Sequence, residues 1–175
     1  RASGIVRSMR LYSRNETFEN HKIDINDLLN DFMPLAYEGL HATDSTFNCR
    51  VEKKFSELPL VNCVPQDISR VILNLLTNAF YAVNDKKKSS NEYYLPLVTV
   101  ATSVSNGSVK NSIHDNGSGI PDHIKEKIFE PFFTTKPAGK GTGLGLSLSY
   151  DIVKAHGGFL NVESKTGVFT EFNIT

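Results

Sequence analysis

The run PQDISRVILNLLTNAFYAV, Pro65 to Val83, decides the fold. Ile68, Val71, Ile72, Leu75, Leu76, Ala79 and Val83 recur at helical spacing and make one buried stripe. Pro65 suits the first helical position, where its missing N–H is no loss. Asn74 and Asn78, four residues apart, share another face of the same helix. Both are poor helix formers set among Leu73, Leu75, Leu76 and Ala79. They read either as helix-surface amides or as amide oxygens pointing into a cleft, where one reaches a hard cation.

Working outward from this helix, strands outnumber helices. Toward the N-terminus, Leu60 to Val64 reads as a short strand, and Phe47, Cys49 and Val51 alternate with polar neighbours. Before them Asn26 is expected to cap a helix holding Leu28, Leu29, Phe32 and Leu35, kinked or ended at Pro34. Ile23 and Ile25 precede it as a strand, and Ser3 to Arg14 reads as the tail of a further helix. Toward the C-terminus, Asp85 to Asn91 reads as a solvated loop whose lysines are an exposed turn. Val98 to Val104 and Val109 to His114 form a hairpin about Asn106-Gly107. Asp122 to Phe129 is helical, an aromatic knot follows at Phe129, Phe132 and Phe133, and a helix from Leu144 to His156 stops at Gly157-Gly158. Two strands close the chain about Thr166-Gly167. The expected class is α+β, a two-layer α/β sandwich with a mixed, largely antiparallel sheet and helices on one face.

Composition narrows the function classes. The 175 residues carry 39% hydrophobic side chains, enough for a core, and 19 basic against 19 acidic groups. A zero net charge argues against a general nucleic-acid binder and against membrane contact through a basic patch. No apolar run approaches the roughly 18 residues of a membrane span. No signal peptide is read at the start of the chain, and from its start at Arg1 without Met it is expected to be a piece of something longer. Cys49 and Cys63 lack metal-ligand spacing and read as reduced thiols.

Two further segments carry chemistry. Asp115-Asn116-Gly117-Ser118-Gly119-Ile120-Pro121 follows a strand directly. Its glycines permit positive φ or the close approach of a flat ligand, though a lone DxGxG is also an ordinary turn. Asp115, at the strand end, is placed to accept a hydrogen bond from an exocyclic amine such as that of adenine. Gly139 to Leu146 (GKGTGLGL) alternates glycines ahead of a helix, the pattern of a phosphate cradle built from free amide N–H groups and the helix dipole. A dinucleotide fingerprint needs glycine at Leu146, and a P-loop needs one at Thr134, so phosphate is bound by a third route.

Asn74-x-x-x-Asn78, Asp115-x-Gly117-x-Gly119, Phe129-Glu130-Pro131-Phe132-Phe133 and Gly141-Thr142-Gly143-Leu144-Gly145-Leu146 together resemble the N, first-glycine, F and second-glycine boxes of sensor histidine kinases. They stand in the family's order, with 37 residues from Asn78 to Asp115 and 26 from Asp115 to Gly141. The resemblance covers about residues 22 to 175 and implies a catalytic domain with the Bergerat fold, shared with DNA gyrase B, MutL and the ninety-kilodalton heat-shock chaperone. It implies ATP and Mg²⁺ as cofactors. Asp115 resembles the residue that holds the adenine amine, and Asn78 the magnesium ligand. Gly117, Gly119 and Ile120 belong to the base pocket, and Thr170 assists Asp115 through a water. Residues 122 to about 140 form the ATP lid, with the phenylalanines as its hinge or anchor. Gly141, Thr142, Gly143, Leu144, Gly145 and Leu146 cover the phosphates, and Lys136 approaches the γ-phosphate from the lid.

In hydrolysing relatives the position of Asn74 carries a glutamate that activates water. An amide cannot take up that proton, whereas a neutral imidazole needs positioning and charge neutralisation more than a base. Asn74 and Lys136 are therefore the catalytic candidates. The resemblance implies a protein-histidine kinase fragment without its acceptor: none of His21, His41, His114, His123 and His156 has the acceptor context, and Ile5 to Arg14 resembles the end of a dimerisation hairpin. Domains are expected at 1–21, the hairpin end and linker, and 22–175, the catalytic domain. Implied partners are the upstream hairpin with its acceptor histidine and a response-regulator receiver domain. The parent is expected to be a homodimer in the cytoplasm, with or without a membrane anchor, and the isolated chain a monomer. Tyr81 replaces a phosphate-contacting lysine, a variation associated with nitrogen-regulation kinases, and Asn111 interrupts the alternation before Asp115. The alternatives are a nucleotide-binding regulatory module with little turnover, or a Bergerat-type ATPase.

Overall fold

A computed structural model describes residues 19–90, 93–137 and 141–175. The helix expected over Ser3 to Arg14, and Gly139 and Lys140 of the glycine-rich segment, lie outside the described residues. In chain order the elements are β1 (His21–Ile23), α1 (Ile25–Thr43), β2 (Arg50–Lys54), β3 (Val61–Cys63), α2 (Pro65–Ser89), β4 (Leu97–Ser105) and β5 (Ser108–Asp115). Two 3₁₀ turns, Asp122–Ile124 and Lys127–Phe129, lead to α3 (Gly145–Ala155), β6 (Leu160–Lys165) and β7 (Phe169–Ile174).

Five strands form one sheet in the order β2-β4-β5-β7-β6, with β2 parallel to β4 and the other neighbours antiparallel. β1 and β3 pair separately as an antiparallel ribbon. Period two in β5 sends Ile113 and Asp115 inward and His114 outward, where its ring stacks on Phe169 with centroids 5.4 Å apart. The helices cover the inward face. Val71, Ile72, Leu75, Leu76, Phe80 and Val83 of α2 are fully buried against Leu29 and Phe32 of α1 and Val98, Val100 and Ile113 of the sheet. The expected two-layer sandwich is thus what the chain forms.

Local departures have local causes. The helix α1 passes through Pro34, which is exposed, so the backbone hydrogen bond it removes is lost on the solvent side. Its cap is Asp24, whose Oδ1 accepts from the Asn26 N–H at 2.8 Å, and not Asn26 itself. Phe47 and Cys49 are buried but precede β2, because the ladder to β4 begins at Arg50 opposite Leu97. Asn111 is buried without disturbing the register, which runs unbroken from Ser108 to Asp115. At the hairpin tip Asn106 and Gly107 both take positive φ, 51° and 78°, which matches a primed turn. Helix α2 continues to Ser89, so the expected loop over Asp85 to Asn91 is corrected: Lys86, Lys87 and Lys88 form its last turn, where cations complement the helix dipole. Lys88 pairs with Asp44, which also accepts from Asn84 at 2.9 Å. The cysteines are free and buried, and burial raises their thiols to about 12 for Cys49 and about 11 for Cys63. Among the described residues no helix is long and apolar enough to cross a membrane.

Phe80 is wholly buried with ring contacts to Tyr37 at 5.6 Å and Phe47 at 5.9 Å. Phe80→Ala is expected to cost about 3–5 kcal/mol of unfolding free energy with an unchanged denaturant slope, measured by urea titration.

Candidate functional site

The candidate residues come from distant parts of the chain: α2, the end of β5 and the N-terminus of α3. Asp115 is the last residue of β5 and 2% exposed. Burial pushes its carboxyl up to about 7, against the pull of the Gly117 N–H, which donates to Oδ1 at 2.8 Å, and of the Lys86 ammonium. Thr170 is its partner across the ladder with β7 and is itself buried, as its expected closeness to Asp115 requires. A hydroxyl the sequence did not single out, Ser164, completes this corner. It donates to Phe169 O at 2.7 Å, lies 3.1 Å from Thr170 Oγ1, and accepts from the Ile120 N–H at 2.7 Å.

The glycines of the first loop are there for space. A Cβ on Gly117 would lie 2.6 Å from Asp115 Oδ1 and 2.8 Å from the Ala82 backbone. Gly119 has φ +67°, and a side chain there would strike the Lys165 carbonyl. The turn Asp115–Pro121 is therefore pressed onto α2 and onto the β6–β7 hairpin.

On α2, the two asparagines have separate employments. The Asn74 amide donates to Gly145 O at 3.2 Å and to Ser149 Oγ at 3.3 Å, so it ties α2 to the first turn of α3. Asn78 Oδ1 instead accepts from the Lys136 ammonium at 2.9 Å. That ammonium stands over the Tyr81 ring, 4.3 Å from its centroid, and its pKa is lowered by burial. The sequence reading sends Lys136 toward a phosphate; the structure places it on the oxygen expected to hold a metal. Asn78 Oδ1 thus already accepts from a cationic group. Tyr81 is the residue the sequence left without a role, and it is the floor beneath that cation.

The segment from Asp122 to Pro137 runs in two 3₁₀ turns and irregular chain and brings Lys136 to α2. Ile128 is buried, and Phe129 packs on Tyr150 of α3 with ring centroids 5.4 Å apart. The expected aromatic knot is only partial: Phe133 packs against the core, while Phe132 is 74% exposed with φ +67°. Gly143 lies under the Phe132 backbone with φ +69°, so residues 132 and 143 touch main chain to main chain. Beyond it α3 begins at Gly145 with Leu144 as a cap that supplies no side-chain hydrogen bond, which leaves its first N–H groups to other partners. Gly141 to Leu146 thus lead into α3, whose first turn Asn74 holds against α2, while Lys136 reaches Asn78 one turn further along the same helix.

A buried carboxylate, a loop with glycine at 117 and 119, a cation-binding amide and a helix start without a side-chain cap together suit a ligand with an amine-bearing aromatic head and an anionic tail. Residues 63–175 match the family described as "Histidine kinase-, DNA gyrase B-, and HSP90-like ATPase". The chain is 33% identical to the sensor kinase CckA of Brucella abortus over 180 residues, covering 99% of this chain and 19% of that protein. It is 33% identical to the sensor histidine kinase ZraS of Escherichia coli O157:H7 over 156 residues, covering 87% of this chain and 30% of that one. It therefore spans less than a third of the length of these curated relatives. The nucleotide-free catalytic domain of histidine kinase ThkA superposes with a TM-score of 0.68 at 27% identity, over 89% of this chain and 95% of that one. Full-length ShkA in complex with AMPPNP superposes with a TM-score of 0.70 at 23% identity, over 98% of this chain and 34% of that one, a likeness of fold.

Gly143→Ala is expected to cost more than the roughly 1–2 kcal/mol of its left-handed φ, because the added Cβ would also lie 2.3 Å from the Phe132 carbonyl carbon. It should also shift the amide resonances of Phe132 to Lys136 together with those of Leu144 and Gly145, read by two-dimensional NMR.

Proposed function

The chain belongs to the family of histidine kinase-, DNA gyrase B- and HSP90-like ATPases, and we propose that within it the chain acts as the ATP-binding catalytic unit of a sensor histidine kinase. The observation that carries this reading is the buried Asp115 carboxylate at the start of a loop with glycine at 117 and 119, together with a cation on Asn78 Oδ1. Adenine offers an amine to an acceptor that burial has made hungry for a donor. Gly117, Gly119 and Ile120 then flank the base, and the Ser164–Thr170 hydroxyl pair supports the Asp115 end of the pocket. Gly141 to Leu146 and the start of α3 receive the phosphates through backbone N–H groups.

Asn78 would hold Mg²⁺ through its amide oxygen, and the metal would neutralise phosphate charge there. One amide oxygen is the whole of the protein's share that this reading needs. Lys136, already on Asn78, then moves from it to the outer phosphate, a short transfer of one cation between two oxygen acceptors. The reaction is attack by a neutral imidazole nitrogen on the γ-phosphorus, with cleavage to the bridging oxygen. Phosphohistidine and ADP result, and the imidazole proton passes to solvent. Asn74, spent on Gly145 and Ser149, offers no base to a water, which supports transfer over hydrolysis. Its role is to set α3 against α2, and so the phosphate wall against the metal ligand.

On this reading the acceptor histidine belongs to a dimerisation hairpin joined to residues 1–21, with 22–175 as the catalytic domain, and a receiver domain takes the phosphoryl group onward. The parent works as a homodimer in the cytoplasm and the isolated chain as a monomer, with no nucleic acid bound. Incubation with γ-labelled ATP and the parent's hairpin should label histidine. Free phosphate instead would indicate an ATPase, and neither product a regulatory module.

Two measurements test the site. Asn78→Ala should abolish the Mg²⁺-dependent part of ATP affinity by calorimetry while leaving the thermal midpoint within a few degrees. The pH dependence has a definite sign: the carboxylate is the form that accepts the adenine amine, so affinity should fall as pH drops below about 7. Near that pH ATP binding should release a fraction of a proton, seen as a heat that varies with the buffer's ionisation enthalpy.

A further inference from the structure

The lysine turn at the end of α2, which the sequence presents as an exposed surface, reaches into the corner that holds Asp115. Lys86 Nζ donates to Asn116 O at 2.9 Å, to Gly117 O at 3.1 Å and to Gly167 O at 2.9 Å. An ammonium has three N–H donors, and here three backbone carbonyls take them. The same nitrogen stands 4.8 Å from the centroid of the Tyr94 ring. Tyr94 belongs to the same knot, its hydroxyl donating to Asn116 Oδ1 at 2.7 Å, and that oxygen also accepts from Leu97 N at 2.9 Å. Gly167 closes the ring of contacts by donating its N–H to Ser118 O at 2.6 Å. One side chain therefore fastens the end of α2, the Asp115–Pro121 loop and the β6–β7 turn, all three of which border the buried carboxylate.

Charge adds to geometry. The groups whose ionisation bears on Asp115 are Lys86 from α2, Tyr94 from the segment before β4 and Cys49 from the segment before β2. Burial and the Asp115 charge both raise the Tyr94 hydroxyl and the Cys49 thiol, so both are neutral at neutral pH. Of these three Lys86 carries the charge, and it favours the carboxylate.

We propose that Lys86 is a positioning residue for base selection: it holds the Asn116–Gly117 peptide and the Gly167 turn against Asp115, the group that would meet the base amine. This inference rests on the reading of Asp115 as the adenine acceptor. Its chemistry follows from the two purines. Adenine presents an exocyclic N–H donor where guanine presents a carbonyl acceptor. A carboxylate attracts the first and repels the second, whereas a protonated carboxyl can donate to guanine's oxygen. A cation beside Asp115 is thus a determinant of ATP over GTP, acting without touching the nucleotide.

The test compares the wild-type chain with Lys86→Met and Lys86→Arg, titrating Mg·ATP and Mg·GTP calorimetrically over about two pH units either side of neutrality. Lys86→Met should move the midpoint of the ATP affinity profile upward by about one unit, the effect expected when a nearby opposite charge is lost. It should also narrow the ATP-to-GTP preference at pH 7. Lys86→Arg keeps the charge but not the three-carbonyl fit, so it should retain the wild-type midpoint while binding both nucleotides more weakly. A Lys86→Met profile with the wild-type midpoint and wild-type purine preference would overturn the proposal. Failure of the wild-type chain to bind ATP at any pH would instead sink the reading of the site. Should Lys86→Met not fold, the nucleotide-free wild-type chain still decides. Its Lys86 ammonium ¹⁵N signal should be protected from exchange and should shift in step with the Asp115 carboxyl ¹³C signal as pH is changed; an unprotected, non-titrating signal refutes the contact.

Discussion

Everything in this domain depends on one helix serving two environments. α2 must bury Val71, Ile72, Leu75, Leu76, Phe80 and Val83 against the sheet and α1. That burial, at roughly 1.5–3 kcal/mol per large side chain, fixes the helix's rotation. Once its rotation is fixed, Asn74, Asn78, Tyr81 and Lys86 have no freedom about where they emerge. Asn74 meets α3, Asn78 and Tyr81 meet the lid lysine, and Lys86 meets the two turns around Asp115. The apolar stripe is thus the foundation of a polar site that shares none of its residues.

The site carries costs that packing alone would not tolerate. A carboxyl shifted up to about 7 by burial is a group that folding disfavours in its charged form. The unfolded value is near 3.8, so the folded state is progressively less favoured as pH rises from there to about 7, the opposite of the usual salt-bridged aspartate. Lys136 bears a similar strain, its ammonium partly stripped of water and held by one amide oxygen and one aromatic face. On the proposed reading a nucleotide would give each group a further partner: an amine donor for Asp115 and an anion for Lys136.

The sequence made the scaffold readable because its signals are local and periodic. The α2 stripe, the Asn106-Gly107 turn, the helix stop at Gly157 and the alternation of β4 and β5 each need only neighbouring residues to be recognised. The glycine-rich boxes were legible for the same reason. What escaped was set by partners far away in the chain. Lys86 reads as surface because its three carbonyls come from residues 116, 117 and 167. Tyr81 has no meaning until Lys136 lies on it, and Ser164 none until Ile120 and Thr170 meet there. Phe132 looked like core by type, yet the left-handed backbone that brings it over Gly143 turns it to solvent.

The central claim is that Asp115 receives a purine amine while a cation on Asn78 faces its phosphates. A crystal structure of the chain with Mg·AMPPNP tests it most directly. The account predicts an Asp115 carboxylate oxygen within hydrogen-bond distance of the base's exocyclic amine and Lys136 Nζ withdrawn from Asn78 Oδ1 in favour of metal and phosphate. A nucleotide seated away from Asp115, or one that leaves the Lys136–Asn78 contact in place, would contradict it.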